Sequence, residues 1–465
     1  MRILFIYPPF APPTMFPYSV TNLYSYISKN FEAECKILDL NAAFHRLRFN
    51  KYYETFAQSA TINSAAKILS EFNTESKKAY AENNLLVRKS EDPEYFSELM
   101  HKILEFSPDI AVISVVYNNQ VFYAFRLADA LKKQGINCVC GGPAVSHKLP
   151  ELCNFLSNKE ELFDHLISLG AQLKDGSDRN SDVPLDFSIY SPQDYLCKEK
   201  IIPVKTQESC FYRGCAFCTH HGKQKHRLLD LTVVEKTLRM TDVRYVYFID
   251  DMFSKQRLIE VAAMMKLTCQ ETGRKIRWMV NLRPTKDFID CDFAELRAAG
   301  LVAIAWGFES GSQRILNLMR KGTNISDVSV ILKKAHDAEI KNILYTMFGF
   351  PTETKAEFLE TIAFLKTHSE SIDLVSTSVF GLQKGSFVYA HPELFGIRKI
   401  SLLKRELLDP QVVFDLASEN CADDASSGKA YFPKDCRVKY KKTIDSINKM
   451  PKVFNVFKEQ VLLVN

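Results

Sequence analysis

Apolar runs alternate with helical patterns over the first third of the chain. RILFIYPP and ECKILDLN are short apolar runs, and DIAVISVV, residues 109–116, is apolar almost throughout. Such runs are typical of parallel strands that are buried on both faces. The helical pattern YAFRLADALKKQG then leads to another strand, INCVCGGP. We therefore predict a doubly wound, Rossmann-like α/β domain over residues 1–150, with additional helices over about residues 41–108.

A second series of apolar runs follows an irregular segment, residues 151–195, which is predicted to be a linker. Amphipathic stretches separate these runs, as in strand–helix repeats. The runs are KIIPVKT, VRYVYFID, KIRWMVNL, LVAIAWGF, KNILYTMFGF and IDLVSTSVFGL. Six such units predict a partial (β/α)6 barrel over residues 196–400. The basic and partly periodic remainder, residues 401–465, is predicted to be a short helical region.

Composition limits the class of protein. A chain of 465 residues with 46% hydrophobic and 25% charged residues is typical of a globular protein with more than one domain. The net charge of +5 is small for this length, so we expect no nucleic-acid partner. No apolar run reaches the length of a membrane span, and the first residues lack a secretion signal. We therefore expect a cytoplasmic protein.

Polar residues with possible chemical roles follow the predicted barrel strands. In barrels of this type, reactive groups lie in the loops after the strands. A cysteine-rich loop follows the first strand, and later strands are followed by Asp250 and Asp251, by Asn281 and Arg283, by Glu309 and Ser310, and by Gly349–Glu353. We therefore predict one site at this end of the barrel.

The cysteine-rich loop, CFYRGCAFCTHH, contains Cys210, Cys215 and Cys218. The twelve cysteines of the chain show no repeating framework, which argues against a disulfide scaffold. A structural zinc site normally has four protein ligands, and His220 or His221 would supply the fourth. A zinc-bearing binding protein is therefore one interpretation. Three cysteines without a fourth ligand also suit a four-iron cluster with one iron open to a small molecule.

The loop and its position after the first barrel strand resemble the radical S-adenosylmethionine (radical SAM) superfamily. WGFESGSQRILNLMRKGT and MFGFPTET are similar to the segments that follow this family's fourth and fifth strands. The resemblance implies a 4Fe-4S cluster on the three cysteines, SAM on the open iron, and a 5′-deoxyadenosyl radical. It also implies a SAM-binding role for a set of residues near the strand ends: Asp250, Arg283, Gly307, Glu309, Ser310, Gly349 and Pro351.

Simpler roles are open for several of these residues. Asp250 and Asp251 would also serve as caps of the following helix. Glu353 would also serve as a carboxylate favoured at a helix N-terminus. Arg283 pairs with the SAM carboxylate in one interpretation and is a solvated loop charge in the other.

The N-terminal domain resembles that of the cobalamin-binding branch of the superfamily. YPPFAPPTMFPYSVTNLYSYI and SVVYNNQVFYAFRLADAL carry this resemblance. It implies a cobalamin cleft at the strand ends, edged by Pro8, Pro9, Tyr117, Asn118, Gly141 and Gly142. The alternative is a domain of the same fold without cobalamin, which only shapes the barrel or holds substrate.

These resemblances predict a radical enzyme acting on an unactivated C–H bond, with methyl transfer through methylcobalamin as the leading reaction. The alternative reaction is cobalamin-free peptide maturation, for example an epimerisation in which Cys421 or Cys436 donates a hydrogen atom. The expected partners are a small-molecule or peptide substrate and an electron donor of the flavodoxin or ferredoxin type.

Overall fold

The structure is a computed structural model that describes residues 1–219, 225–416 and 434–464, of which 434–439 are described by backbone alone. The chain divides into two compact units. The first comprises Met1–Pro203, Thr232–Val243 and Lys404–Asp409, and the second comprises Val204–Leu231, Arg244–Leu403 and Pro410–Asn465.

A five-stranded parallel sheet forms the centre of the first unit. Its strands are β1 (Arg2–Tyr7), β2 (Glu34–Asp39), β3 (Ile110–Ser114), β4 (Asn137–Gly141) and β5 (Asn154–Phe155). The spatial order is β2-β1-β3-β4-β5, so the strand order reverses between β1 and β3. Every residue of β3 is buried, as expected for a strand covered on both faces. The predicted doubly wound fold is confirmed.

The helices of this unit before residue 203 are α1 (Tyr18–Asn30), α2 (Leu40–Gln58), α3 (Ile62–Arg88), α4 (Phe96–Phe106), α5 (Gln120–Lys133) and α6 (Lys159–Ser168). Helices α2–α4 lie where additional helices are predicted. Phe10, after β1, packs against them, with ring centroids 4.8 Å from Phe44 and 4.5 Å from Tyr80. Strand β5 and helix α6 lie in the segment predicted as a linker, so the first unit continues beyond residue 150.

A six-stranded sheet forms the centre of the second unit, in the order β13-β12-β11-β10-β9-β6. Its strands follow one another along the chain without reversal, and β9–β13 pair in parallel, as in a partial barrel. The strands up to this point are β6 (Ile201–Val204), the short antiparallel pair β7 (Gln207–Glu208) and β8 (Arg227–Leu228), β9 (Tyr245–Phe248), β10 (Arg277–Leu282), β11 (Leu301–Glu309), β12 (Lys341–Phe348) and β13 (Leu374–Val379). The six sheet strands lie in the six predicted runs.

The later elements include a hairpin that the sequence pattern does not predict. Strands β14 (Ile397–Leu403) and β15 (Gln411–Leu416) pair antiparallel, and helical turns at Lys452–Asn455 and Lys458–Leu463 end the described chain. The remaining helices are α7 (Leu231–Met240), α8 (Lys255–Thr272), α9 (Phe293–Ala298), α10 (Gln313–Leu318), α11 (Ile325–Asp337), α12 (Lys355–Thr367), α13 (Phe387–Ala390) and α14 (Lys434–Ile447). Within the described residues, no helix has the length and apolar character needed to cross a membrane.

Candidate active site at the ends of the barrel strands

The cysteine loop lies between β7 and β8. Ser209 and Arg213 adopt φ angles of +61° and +51°, which residues other than glycine rarely do. Tertiary contacts hold the middle of the loop: the Ala216 N–H donates to the Met319 carbonyl at 2.8 Å, and the Ala216 carbonyl accepts from the Val388 N–H at 3.0 Å. The loop conformation therefore depends on residues far away in the sequence.

The three cysteine side chains are half-buried in this loop. Burial raises the pKa of the Cys215 thiol, and the neighbouring Lys321 and Arg283 charges act in the opposite direction. Positive charge beside a thiol favours the thiolate, which is the form that binds iron. The donor set of Cys210, Cys215 and Cys218 therefore fits an iron–sulfur cluster.

A site for a single metal ion, such as zinc, would require ligands that converge on one point. Among the described residues, no group of three or more Cys, His, Asp or Glu side chains is arranged to hold one ion. A four-iron cluster takes each cysteine on a different iron, so its ligands need not converge on one point. His220 and His221, the zinc ligands of the alternative interpretation, lie outside the described residues.

A buried ion pair lies beside the cysteine loop. Glu309 Oε1, at the end of β11, is 2.8 Å from Lys321 Nζ, and the two side chains are 11% and 9% exposed. Burial lowers the pKa of Lys321, but the charges of Glu309 and Cys215 outweigh this effect and hold the pKa above its ordinary value. A Cβ at Gly307 would lie 2.8 Å from Lys321 Nζ, so any larger residue there would displace the ammonium from its present position.

Lys321 was not predicted from the sequence. It lies twelve residues after Glu309 and three residues beyond the end of helix α10, and this spacing gives no sign that the two side chains meet. The available signal is its place in the segment WGFESGSQRILNLMRKGT, which carries the family resemblance.

Arg283 follows β10 and is fixed by two contacts. Its guanidinium carbon lies 3.4 Å from the centre of the Tyr212 ring, and Nη1 donates to the Lys321 carbonyl at 2.9 Å. Arg283 is therefore held beside the cysteine loop and is not a solvated loop charge. Its Nε is buried and has no hydrogen-bond partner among the described residues, which leaves a donor for a ligand. Tyr212, between the first two cysteines, is a second residue that the sequence analysis missed.

Asp250 is buried and joins β6 to β9. Its carboxylate accepts from the Thr206 N–H at 2.9 and 3.1 Å and from the Gln207 N–H at 2.8 Å. Burial raises the pKa of Asp250 to about 7, although these hydrogen bonds lower it in part. The helix-cap alternative for Asp250 and Asp251 is wrong, because Ser254 caps α8. Contact of Asp250 with SAM stays a prediction.

Ser310 is fully buried and its hydroxyl has protein partners. Ser310 Oγ lies 3.2 Å from the Thr361 hydroxyl and accepts from the Ser312 N–H at 3.1 Å. These bonds direct the side chain towards helix α12. Contact of Ser310 with SAM also stays a prediction.

The turn after β12 contains Gly349, Pro351 and Glu353. Gly349 has a φ angle of +70°, a conformation that favours glycine, and its N–H donates to Glu353 Oε2 at 2.5 Å. Pro351 is buried in the turn. Helix α12 begins at Lys355 with Thr354 as its cap, so Glu353 precedes the cap and is not the helix-terminal carboxylate of the simpler interpretation.

Glu353 carries a buried oxygen with no partner. The residue is 7% exposed, and Oε1 has no hydrogen-bond partner among the described residues. Burial raises the pKa of Glu353 from its ordinary 4.5 to about 7. In the folded protein, Glu353 therefore stays protonated at a pH where Glu353 of the unfolded chain has lost its proton.

We expect the stability of the protein to fall as pH rises from about 5 to about 8, and Glu353→Gln to reduce that fall. A carboxyl group with a raised pKa in the folded state stabilises below its unfolded pKa, and this contribution is lost as pH rises through the folded pKa. The rise in the pKa of Glu353 corresponds to roughly 3 kcal/mol in the free energy of unfolding. Urea unfolding followed by circular dichroism at both pH values is the measurement. The exposed Glu360→Gln is the control, and an unchanged pH dependence in Glu353→Gln would contradict the expectation.

In the first unit, the predicted cobalamin residues lie at the carboxyl ends of β1, β3 and β4. Tyr117 is 48% exposed and Asn118 is exposed, just after β3 at the point where strand order reverses. The Ser146 hydroxyl is buried without a hydrogen-bond partner among the described residues. In doubly wound sheets, ligands bind at this reversal point. An exposed aromatic ring and a free hydroxyl at such an edge fit a large bound ligand.

Gly141 and Gly142 are required by the protein backbone itself. A Cβ at Gly142, whose φ is +116°, would lie 2.3 Å from the Val115 carbonyl oxygen, and one at Gly141 would lie 2.8 Å from that of Leu156. Substitution at either position would therefore disturb the sheet. Their predicted contact with cobalamin stays a prediction.

The two hydrogen-donor cysteines of the alternative reaction lie near the C-terminal end of the chain. Cys421 lies outside the described residues, and Cys436 lies in α14 at a position where only the backbone is described.

Comparisons with known proteins agree with this geometry. Residues 204–365, which include the cysteine loop and strands β9–β12, match the family model of the Radical SAM superfamily. The uncharacterized methyltransferase PH0819 of Pyrococcus horikoshii is 26% identical over 316 residues, which are 58% of this chain and 67% of that protein.

Two solved structures share the fold. The cobalamin-dependent SAM radical enzyme OxsB, with aqua-cobalamin bound, matches with a TM-score of 0.63 at 14% identity and covers 90% of this chain. This chain spans 65% of the OxsB chain. The radical SAM methyltransferase TsrM of Kitasatospora setae, with cobalamin and a [4Fe-4S] cluster bound, matches with a TM-score of 0.59 at 14% identity over 96% of this chain and 88% of TsrM.

The fold likeness extends over both units, and the family match contains the three cysteines, Arg283 and the Glu309–Lys321 pair. A zinc-bearing binding protein explains neither. A radical SAM site requires a reductant and a substrate. Residues 204–365 therefore match the radical SAM superfamily of enzymes, and the whole chain shares the fold of the two cobalamin-binding radical SAM structures.

Proposed function

We propose that this protein is a cobalamin-dependent radical SAM methyltransferase that modifies an unactivated C–H bond of a small-molecule or peptide substrate. One observation carries the proposal: a three-cysteine loop at the strand ends of a partial barrel occurs in one chain with a doubly wound sheet whose reversal point is exposed. The methyltransferase relatives support the reaction type.

Each unit has residues suited to a cofactor. Cys210, Cys215 and Cys218 would hold a 4Fe-4S cluster, and Glu309 and Arg283 would bind SAM. Tyr117 and Asn118, with the adjacent Pro8 and Pro9, would edge the cobalamin cleft. When bound, these groups would supply a 5′-deoxyadenosyl radical and a transferable methyl group.

The protein side chains then have defined tasks. Lys321 and Arg283 place positive charge beside the Cys215 thiolate and so offset its negative charge in a partly buried site. Lys321 also orients the Glu309 carboxylate through their ion pair. Tyr212 fixes the Arg283 guanidinium by stacking, which leaves the buried Nε available to the SAM carboxylate. The required reductant is proposed to be of the flavodoxin or ferredoxin type.

Retention of a corrinoid tests the proposal. We expect anaerobically reconstituted protein to keep nearly one hydroxocobalamin per chain after desalting. Tyr117→Ala should retain less, because it removes an exposed ring at the reversal point, whereas Leu85→Ala, at 49% exposure on α3, should match the wild type. The measurement is the visible spectrum together with cobalt content.

Failure of this test has a clear meaning. If no corrinoid is retained while 5′-deoxyadenosine is still formed, methyl transfer through cobalamin is wrong. The reaction is then cobalamin-free, and Cys421 and Cys436 become the hydrogen donors to examine.

A further inference from the structure

Three polar side chains meet inside the barrel of the second unit. Tyr247 on β9 and Tyr345 on β12 each place the phenol oxygen 3.5 Å from Asn281 Oδ1 on β10. Asn281 Nδ2 donates to the Asp250 carbonyl at 2.9 Å, which turns Oδ1 towards the two phenols. Side chains that point into a barrel from different strands form layers in this way.

Lys458 joins these residues from the C-terminal turn, Lys458–Leu463. Its Nζ lies 4.0 Å from the centre of the Tyr345 ring, a cation–π distance. Tyr247, Asn281, Tyr345 and Lys458 are called here the inner polar layer. The same turn is attached to the strand starts, because Lys341 donates to the Val464 carbonyl at 2.8 Å.

The ammonium of Lys458 is not neutralised by an ion pair. Burial lowers the pKa of Lys458, and the adjacent Glu459 raises it in part, yet none of the described carboxylates lies within ion-pair distance. Lys321, a buried lysine of the same unit, has such a partner in Glu309. A partly buried charge without an ion-pair partner is costly, and a bound anion would reduce that cost.

The inner polar layer also lies close to the candidate active site. The Glu309 charge acts on Tyr345 and helps to raise its pKa, although burial is the main cause. Asn281 is the last residue but one of β10, which ends at Leu282, and Tyr345 lies three residues before the end of β12 at Phe348. A molecule held near the cysteine loop would therefore extend towards this layer.

The charge of the layer indicates the class of anion. It offers one cation and two phenol O–H groups, whose hydrogen bonds to Asn281 Oδ1 are long at 3.5 Å and which can turn to an anion, so it matches a group of one negative charge. A phosphate dianion would call for further cations. A carboxylate takes up one charge and accepts several hydrogen bonds. The SAM carboxylate is assigned to the site at Arg283, so this second carboxylate belongs to the substrate.

We propose that the inner polar layer binds a carboxylate of the substrate, with Lys458 as the residue that determines this specificity. The inference rests on the proposed function, because it assumes that the substrate occupies the barrel. It adds that the substrate is a carboxylic acid, such as an amino acid or a peptide with a free carboxyl group.

Benzoate and its neutral counterpart benzamide test the proposal on the reconstituted full chain. Lysines are labelled with an amine-reactive ester, and labelling of each is quantified by peptide mass spectrometry. Benzoate should protect Lys458, and benzamide should not. Lys452, an exposed lysine paired with Asp445 nearby in the sequence, should be unaffected by either compound. Equal protection by both compounds, or none by benzoate, would overturn the proposal.

Two variants provide an independent measurement. Lys458→Met, which keeps length but loses charge, should weaken benzoate binding by roughly ten- to a hundredfold in ligand-observed NMR. Lys458→Arg should retain most of it. Benzoate binding that is equal in the wild type and in folded Lys458→Met also overturns the proposal. Corrinoid retention and 5′-deoxyadenosine formation in the same preparations report on the proposed function separately.

Discussion

Simultaneous replacement of Cys210, Cys215 and Cys218 by alanine is expected to remove essentially all bound iron and to abolish 5′-deoxyadenosine formation. The wild type, purified without oxygen, should be brown and hold about four irons per chain. The effect should be complete because the three thiols on the loop are the ligands assigned to the cluster. Iron analysis, the visible spectrum and deoxyadenosine assays measure it.

The control for this result is Cys269→Ala. Cys269 is a half-buried cysteine of helix α8, outside the loop, and its loss should leave the iron content unchanged. A colourless wild type with one tightly held zinc would contradict the cluster assignment. So would a triple variant that still binds iron at the wild-type level.

The second large effect is expected at the Glu309–Lys321 pair. Lys321→Met and Glu309→Gln each leave one buried charge without its partner, which typically costs about 3–5 kcal/mol. The double variant removes both charges and should recover much of that stability. SAM binding should be lost in Lys321→Met, because Glu309 loses the residue that orients it. It should also be lost in Glu309→Gln and in the double variant, because the carboxylate proposed to contact SAM is absent.

Apparent unfolding midpoints and equilibrium dialysis with SAM separate these two effects. Lys255→Met, at an ion pair with the exposed Asp290, should change neither stability nor SAM binding appreciably. If the double variant binds SAM as tightly as the wild type, the pair has only a structural role and Glu309 is not a SAM ligand.

Much of the fold could be predicted because it depends on local patterns. β3, which is wholly buried, and the six barrel runs are apolar over the length of a strand. The local sequence of each run therefore predicts a buried strand. β5 has only two residues and lies in a segment without a strand-length apolar run, so the sequence pattern predicts a linker there. The hairpin β14–β15 was also missed, because its pairing joins residues separated by a loop.

The candidate site could be predicted only in part. The cysteines and Glu309 were found because their residue types and their order along the chain carry chemistry and a family resemblance. Lys321, Tyr212 and Lys458 were not, because an ion pair, a stacked ring or a cation inside a barrel depends on which residues meet in space. Arg283 was found, but only its contacts decided against the solvated alternative.

By itself, the sequence determined the α/β class, the six barrel strands and the three thiols of the cysteine loop. Each of these features depends on a few consecutive residues, because the apolar character of a strand and the type of a ligand are local properties of the sequence. The tertiary structure alone decided which charges neutralise one another and which do not. Lys321 meets Glu309 and Lys458 meets an aromatic ring, because long-range packing, and not sequence distance, sets the partners and the solvent exposure of a charge.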